Sequence, residues 1–137
     1  MLDVHIPIDS VSHIWDAGRG VECMEWNPVR FYGPVRSLIH GWPLEVRKEL
    51  GSTLTRLQKG ESIGMPDVRP MPSVGRQVSE IRIFESSGSY RAFFALQTKF
   101  GILLFHAFQK KSGKTPAREI KTARQRLDAF LIELGEE

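Results

Sequence analysis

The chain has 137 residues, enough for one domain with a real core and hardly enough for two. Apolar content of 41% and charged content of 26% are those of an ordinary globular protein, and no apolar run nears the roughly 20 residues that span a bilayer. The net charge of +3 hides an asymmetry: residues 1–26 carry Asp3, Asp9, Asp16, Glu22 and Glu25 against Arg19, a net −4, whereas residues 27–137 carry 18 Lys/Arg against 11 Asp/Glu, a net +7. A basic body favours polyanions or acidic proteins as partners, although the same charge also serves a solvated surface.

In chain order, residues 1–26 hold Gly18 and Gly20 and no sustained periodicity. They read as an acidic extension outside a core domain of residues 27–137, with Met24 as a candidate natural start. No basic segment leads into an apolar one, so no secretory signal is expected. The lone Cys23 has no disulfide partner, which points to a reducing cytoplasm. Residues 29–32 are β-prone and closed by Gly33-Pro34. Pro43 opens a helix to about Lys59, with Leu44, Val46, Leu50, Leu54 and Leu57 as its stripe. Gly51 either allows close packing or divides that helix. Residues 60–76 read as a loop, with Met65, Val68, Met71 and Val74 as possible anchors.

Three strands follow. Residues 78–84 alternate, with Arg82 opposite Ile81 and Ile83. A hairpin turn at Ser86-Ser87-Gly88-Ser89 leads to residues 90–96. A turn near Lys99-Phe100-Gly101 leads to residues 102–108, apolar on both faces like a central strand. Thr115 as N-cap and Pro116 as first helical residue start the last helix. Its stripe is Ile120, Ala123, Leu127, Phe130, Leu131 and Leu134.

His5, His13, His40 and His106 share no ligand spacing, so neither metal nor other cofactor is expected. No phosphate-cradling glycine loop follows a strand, and no nucleophile elbow is present. What remains is basic. Lys110, Lys111 and Lys114 crowd a turn between a strand and a helix. There they are held at fixed spacing, which suits the closely spaced charges of an RNA backbone. Lys and Arg can support RNA cleavage without a metal, because the attacking 2′-hydroxyl belongs to the substrate. The protein aligns it, neutralises the phosphorane and helps protons move. Arg suits the phosphate through its planar, permanently charged fork.

Several blocks carry a family resemblance. They are Met71-Pro72-Ser73-Val74-Gly75, then Ser79-Glu80-Ile81-Arg82-Ile83, then Ser89-Tyr90-Arg91-Ala92-Phe93, then His106-Ala107-Phe108-Gln109-Lys110-Lys111-Ser112-Gly113-Lys114-Thr115-Pro116. In this order they resemble the RelE/HigB superfamily of toxin–antitoxin toxins, in its phage-derived HigB-like branch, over roughly residues 29–134. The resemblance implies an α+β domain: a small curved antiparallel sheet with helices packed on one face. It implies an mRNA endonuclease acting in the ribosomal A site and leaving a 2′,3′-cyclic phosphate. It also implies a helix-turn-helix antitoxin, with operator DNA bound only through that partner.

Matched by position, Arg82 and Arg91 are the arginines near the scissile phosphate and His106 is a recurrent histidine. Lys110, Lys111 and Lys114 form the basic turn. Arg118 and Tyr90 are further RNA-binding candidates, Tyr90 by stacking on a base. Against these stand plainer readings: Arg82 and Arg91 as strand residues paired with glutamates, and His106 as a core histidine. The last helix ends without the tyrosine or histidine that several superfamily members use for proton transfer, so no general acid or base is assigned. A binding-only module of the same fold is the alternative.

Overall fold

The computed structural model describes residues 27–111 and 115–135, with backbone alone at 97 and 98. The expected extension at 1–26 and Lys114 lie outside the described residues. The chain runs β1 (Val29–Phe31), α1 (Gly33–His40), α2 (Leu44–Gln58), β2 (Val68–Pro70), β3 (Val78–Glu85), β4 (Gly88–Thr98), β5 (Gly101–Lys110) and α3 (Ala117–Glu133). The strands form one sheet in the order β1-β5-β4-β3-β2.

The α+β class holds, and two details differ from expectation. The sheet is mixed, because β1 pairs parallel to β5 with Val29 beside Ile102 and Phe31 beside Leu104. Tight turns force β3, β4 and β5 to be antiparallel, whereas β1 reaches β5 through a long crossover and is under no such constraint. The helices cover both faces instead of one. Along β4, Ala92 and Phe94 join the cluster of α1 and α2, which includes Val35, Leu50 and Leu54. Their neighbours Phe93 and Ala95 join the cluster of α3, with Ala123 and Phe130. Successive strand residues point to opposite faces, so the two clusters lie on opposite sides of the sheet. This is why β5 is apolar on both faces.

Gly33-Pro34 closes the first strand as expected, and it also opens a helix that was not among the expected elements. Pro34 lies in the first turn of α1, where its missing N–H is harmless, and Val35 and Ile39 bury themselves one turn apart. In α2, Gly51 is buried and the helix runs through it undivided. Within 60–76 the three-residue β2 adds an edge strand, the one place where Pro70 costs no ladder bond. Val68, Met71 and Val74 are buried as expected, and Met65 is exposed. The β3–β4 turn is the pair Ser86-Ser87, since Glu85 lies opposite Gly88. The Glu85 carboxylate accepts the Ser87 hydroxyl at 2.6 Å and the Ser87 N–H at 2.9 Å. These bonds, the hydroxyl's foremost, hold its pKa below the ordinary value.

Thr115 does not cap α3. Pro116 takes the N-cap position, and the Thr115 hydroxyl donates to Glu80 Oε2 at 3.3 Å instead. That bond ties the start of α3 to the middle of β3.

Candidate nucleic-acid interface

Strand register brings the basic residues together. Arg69 on β2 lies opposite Glu80 on β3, and Arg82 lies opposite Arg91 on β4. Arg91 pairs with Phe108 on β5, and Ser89 pairs with Lys110. Alternation places Arg69, Glu80, Arg82, Phe84, Arg91, His106 and Lys110 on the face that α3 covers only in part. Four cations from four strands thus form a row around one buried carboxylate. Like charges directly opposite each other are destabilising, so the Arg82–Arg91 pair opposes folding.

Arg91 is only 3% exposed, and Glu80 beneath it 1%. Arg91 Nε is 3.6 Å from Glu80 Oε2, and its Nη1 donates to Ser89 Oγ at 2.6 Å and to the Tyr90 carbonyl at 3.3 Å. Burial, above all, pushes its pKa below the ordinary value; Arg82 and Arg69 push the same way, against the pull of Glu80. The Lys110 ammonium is lowered too, first by burial and then by Arg91, with Arg82 and Arg69 adding and Glu80 opposing. The four charges feel one another.

Arg82 is half-buried and loosely held. Its Nη1 reaches the Pro66 carbonyl at 3.5 Å, and its Nε–H is enclosed with no hydrogen-bond partner among the described residues. Both guanidiniums face the Phe84 ring, Arg82 at 5.8 Å and Arg91 at 5.2 Å from its centroid. At the sheet's edge Arg82 and Phe84 themselves line a hollow, together with Glu45, Glu49, Asp67 and Glu85. Those carboxylates repel phosphate, which makes the Lys110 side of the row the more favourable approach for a polyanion.

Of the other expected residues, Lys111 is exposed at the end of β5. Arg118, with its side chain 79% exposed, sits 3.9 Å from Glu119 in the first turn of α3. Tyr90 lies elsewhere. It is buried on the opposite face, its ring 5.0 Å from that of Trp42 and its hydroxyl bonded to Ser87 Oγ at 2.7 Å. Adjacent strand residues cannot face the same ligand, so Arg91 and Tyr90 cannot share one.

His106 is on the basic face but under α3 and 3% exposed, between the rings of Phe93 and Phe108. Arg126 Nη1 stands 3.2 Å from Nδ1, and Glu119 Oε1 stands 2.7 Å from Nε2. Arginine only donates, so Nδ1 accepts and the proton sits on Nε2, facing Glu119. Burial foremost, with Arg126 adding, holds the imidazole pKa below its ordinary value, while the bond to Glu119 opposes this. A neutral ring with both nitrogens engaged fastens α3 to the sheet.

Periodicity does not reveal Arg69, because a three-residue strand inside a proline-rich stretch reads as loop. The Val68-Arg69-Pro70 triplet, with a β-branched residue beside a cation, was the available signal. Among the described residues no cluster of His, Cys, Asp or Glu is arranged to hold a metal ion. No helix among them is long and apolar enough to cross a membrane.

The family model described as phage-derived protein Gp49-like (DUF891) matches residues 37–128, two-thirds of the chain and every described cation of the row. The chain belongs to this Gp49-like family. The family is of the RelE/HigB toxin type and is associated with toxin–antitoxin modules, which implies an antitoxin partner. No curated protein matches the chain.

Proposed function

We propose that this Gp49-like protein is an endoribonuclease toxin that cuts mRNA on the 70S ribosome, using the substrate's own 2′-hydroxyl as nucleophile. The 2′-oxygen bonds to phosphorus, the P–O5′ bond breaks, and the products are a 2′,3′-cyclic phosphate and a 5′-hydroxyl end. The proton leaves the 2′-oxygen and one is gained by the 5′-oxygen. The observation that carries this reading is the row of four cations on one sheet face. Arg82, partly exposed and held by a long 3.5 Å bond from Nη1 to the Pro66 carbonyl, binds the scissile phosphate. Arg91, held beneath by Glu80, adds a fixed charge that needs no rearrangement during the reaction. Lys110, Lys111, Lys114 and Arg118 bind the flanking RNA backbone. The partner is a helix-turn-helix antitoxin, and operator DNA is reached only through it.

A binding-only module is the second reading, favoured by the engaged nitrogens of His106 and the burial of Arg91. Incubating purified protein with labelled mRNA, with and without ribosomes, separates the two. The endonuclease reading expects fragments ending in cyclic phosphate, lost in Arg82→Ala. Uncut but bound RNA supports the binding module. Arg82 is the cleaner residue to change, since removing Arg91 strands a buried carboxylate.

A further inference from the structure

Phe84 is absorbed by neither core cluster. It is 64% exposed, although large apolar side chains on a strand flanked by helices usually bury themselves. It stands on the basic face, opposite Ser89, at the hairpin end of β3. Its ring lies against two guanidiniums, with Arg91 at 5.2 Å and Arg82 at 5.8 Å. Those contacts restrain the ring, so further stacking would cost it little entropy, and most of its surface stays open. An aromatic plane beside a phosphate-binding arginine is the arrangement single-stranded nucleic acid uses: the charge takes the backbone and the ring takes the adjoining base. A duplex offers no such free base.

We propose that Phe84 is a stacking platform for one unpaired base of the RNA whose phosphate Arg82 binds. This rests on the RNA reading above and deepens it: the ligand is single-stranded, and one nucleotide is fixed by an Arg91–Phe84–base stack. Phe84 and Arg82 border the hollow of Glu45, Glu49, Asp67 and Glu85, whose charge disfavours phosphate on that side, so the bound chain continues the other way, across β4 to Lys110. The same exposed ring could instead anchor the antitoxin, and the test has an arm for that.

The probe is a fluorescent 2′-O-methyl RNA of about seven nucleotides, within the site sizes single-strand binders use, and uncleavable at its blocked 2′-oxygens. Binding is measured for the full-length protein and for Phe84→Leu, Phe84→Trp and Arg82→Ala, each shown by thermal unfolding to be folded. An abasic residue is placed at each position of the probe in turn. Phe84→Leu is expected to weaken binding about ten-fold, and Phe84→Trp to preserve it. One abasic position should cost wild-type protein a similar factor and cost Phe84→Leu nothing further, because both changes remove the same contact.

Equal binding by Phe84→Leu and wild type, with Arg82→Ala impaired, overturns the stacking site and leaves the RNA reading standing. So does an abasic penalty that persists undiminished in Phe84→Leu. Loss of antitoxin binding in Phe84→Leu with RNA binding intact assigns the ring to the protein partner and overturns the proposal. Failure of wild-type protein to bind the probe, both free and seated in the A site of a 70S ribosome, removes the RNA reading and the stacking site together.

Discussion

Glu80→Gln removes the carboxylate beneath the cationic row while keeping its shape. At 3.6 Å and an effective dielectric of about 20, the Glu80–Arg91 attraction is roughly 5 kcal/mol before desolvation. The neutral amide is cheaper to bury, which returns part of that. What remains is an arginine enclosed beside Arg82 and Arg69 with no counter-charge, and breaking a buried pair in this way costs about 3 kcal/mol. For a domain of this size about 3 kcal/mol lowers Tm by roughly 12 °C. Urea and thermal unfolding followed by circular dichroism measure it, in Glu80→Gln, Arg91→Gln and the double variant. The double variant should be more stable than the sum of the two losses predicts, by more than about 1 kcal/mol. Additive effects, or a loss below about 1 kcal/mol for Glu80→Gln, would refute the claim that this carboxylate makes the row tolerable.

The neutral, doubly engaged His106 makes stability depend on pH. Its folded pKa lies below the ordinary value, so on acidification the unfolded chain takes up a proton first. This contribution is complete above about pH 6.5, shrinks as pH falls through that value, and levels off below the folded pKa. His106→Gln should flatten that part of the profile, and a profile identical to wild type contradicts the assignment. Arg69→Ala and Lys110→Ala should each lower RNA affinity and reduce the slope of log K against log salt by about 1. An unchanged slope in both removes them from the interface. Gly101 has φ of +98°, and a Cβ there would stand 2.5 Å from the Pro28 carbonyl oxygen, which accepts the Ile102 N–H. Gly101→Ala should therefore destabilise the β1–β5 junction by about 2 kcal/mol, measurable by urea unfolding.

How much of this was legible in the sequence depends on the range of the interaction. Alternation around Ile81 and Ile83 correctly turned Arg82 away from their cluster, and helical spacing identified the face of α3 that meets the sheet. Both are local periodicities. The same alternation, applied to neighbours, could have separated Tyr90 from Arg91. Gly33-Pro34 was opaque because the dipeptide that stops a strand also starts a helix. Arg69 needed knowledge that three residues in a proline-rich stretch would pair with β3. Register across β3, β4 and β5 decides that Arg82 faces Arg91, and composition carries no trace of it. His106 looked like a proton-transfer group or a core residue with equal reason, and what settles its surroundings are Glu119 and Arg126, 13 and 20 residues away.

The most direct measurement of the central claim is 5′-end mapping of RNA after brief induction of the wild-type protein and of Arg82→Ala in translating cells. The account predicts new 5′-hydroxyl ends within coding sequences for wild type, and their loss in a folded Arg82→Ala that still binds the antitoxin. An unchanged map for wild type, or identical ends from both proteins, would contradict it.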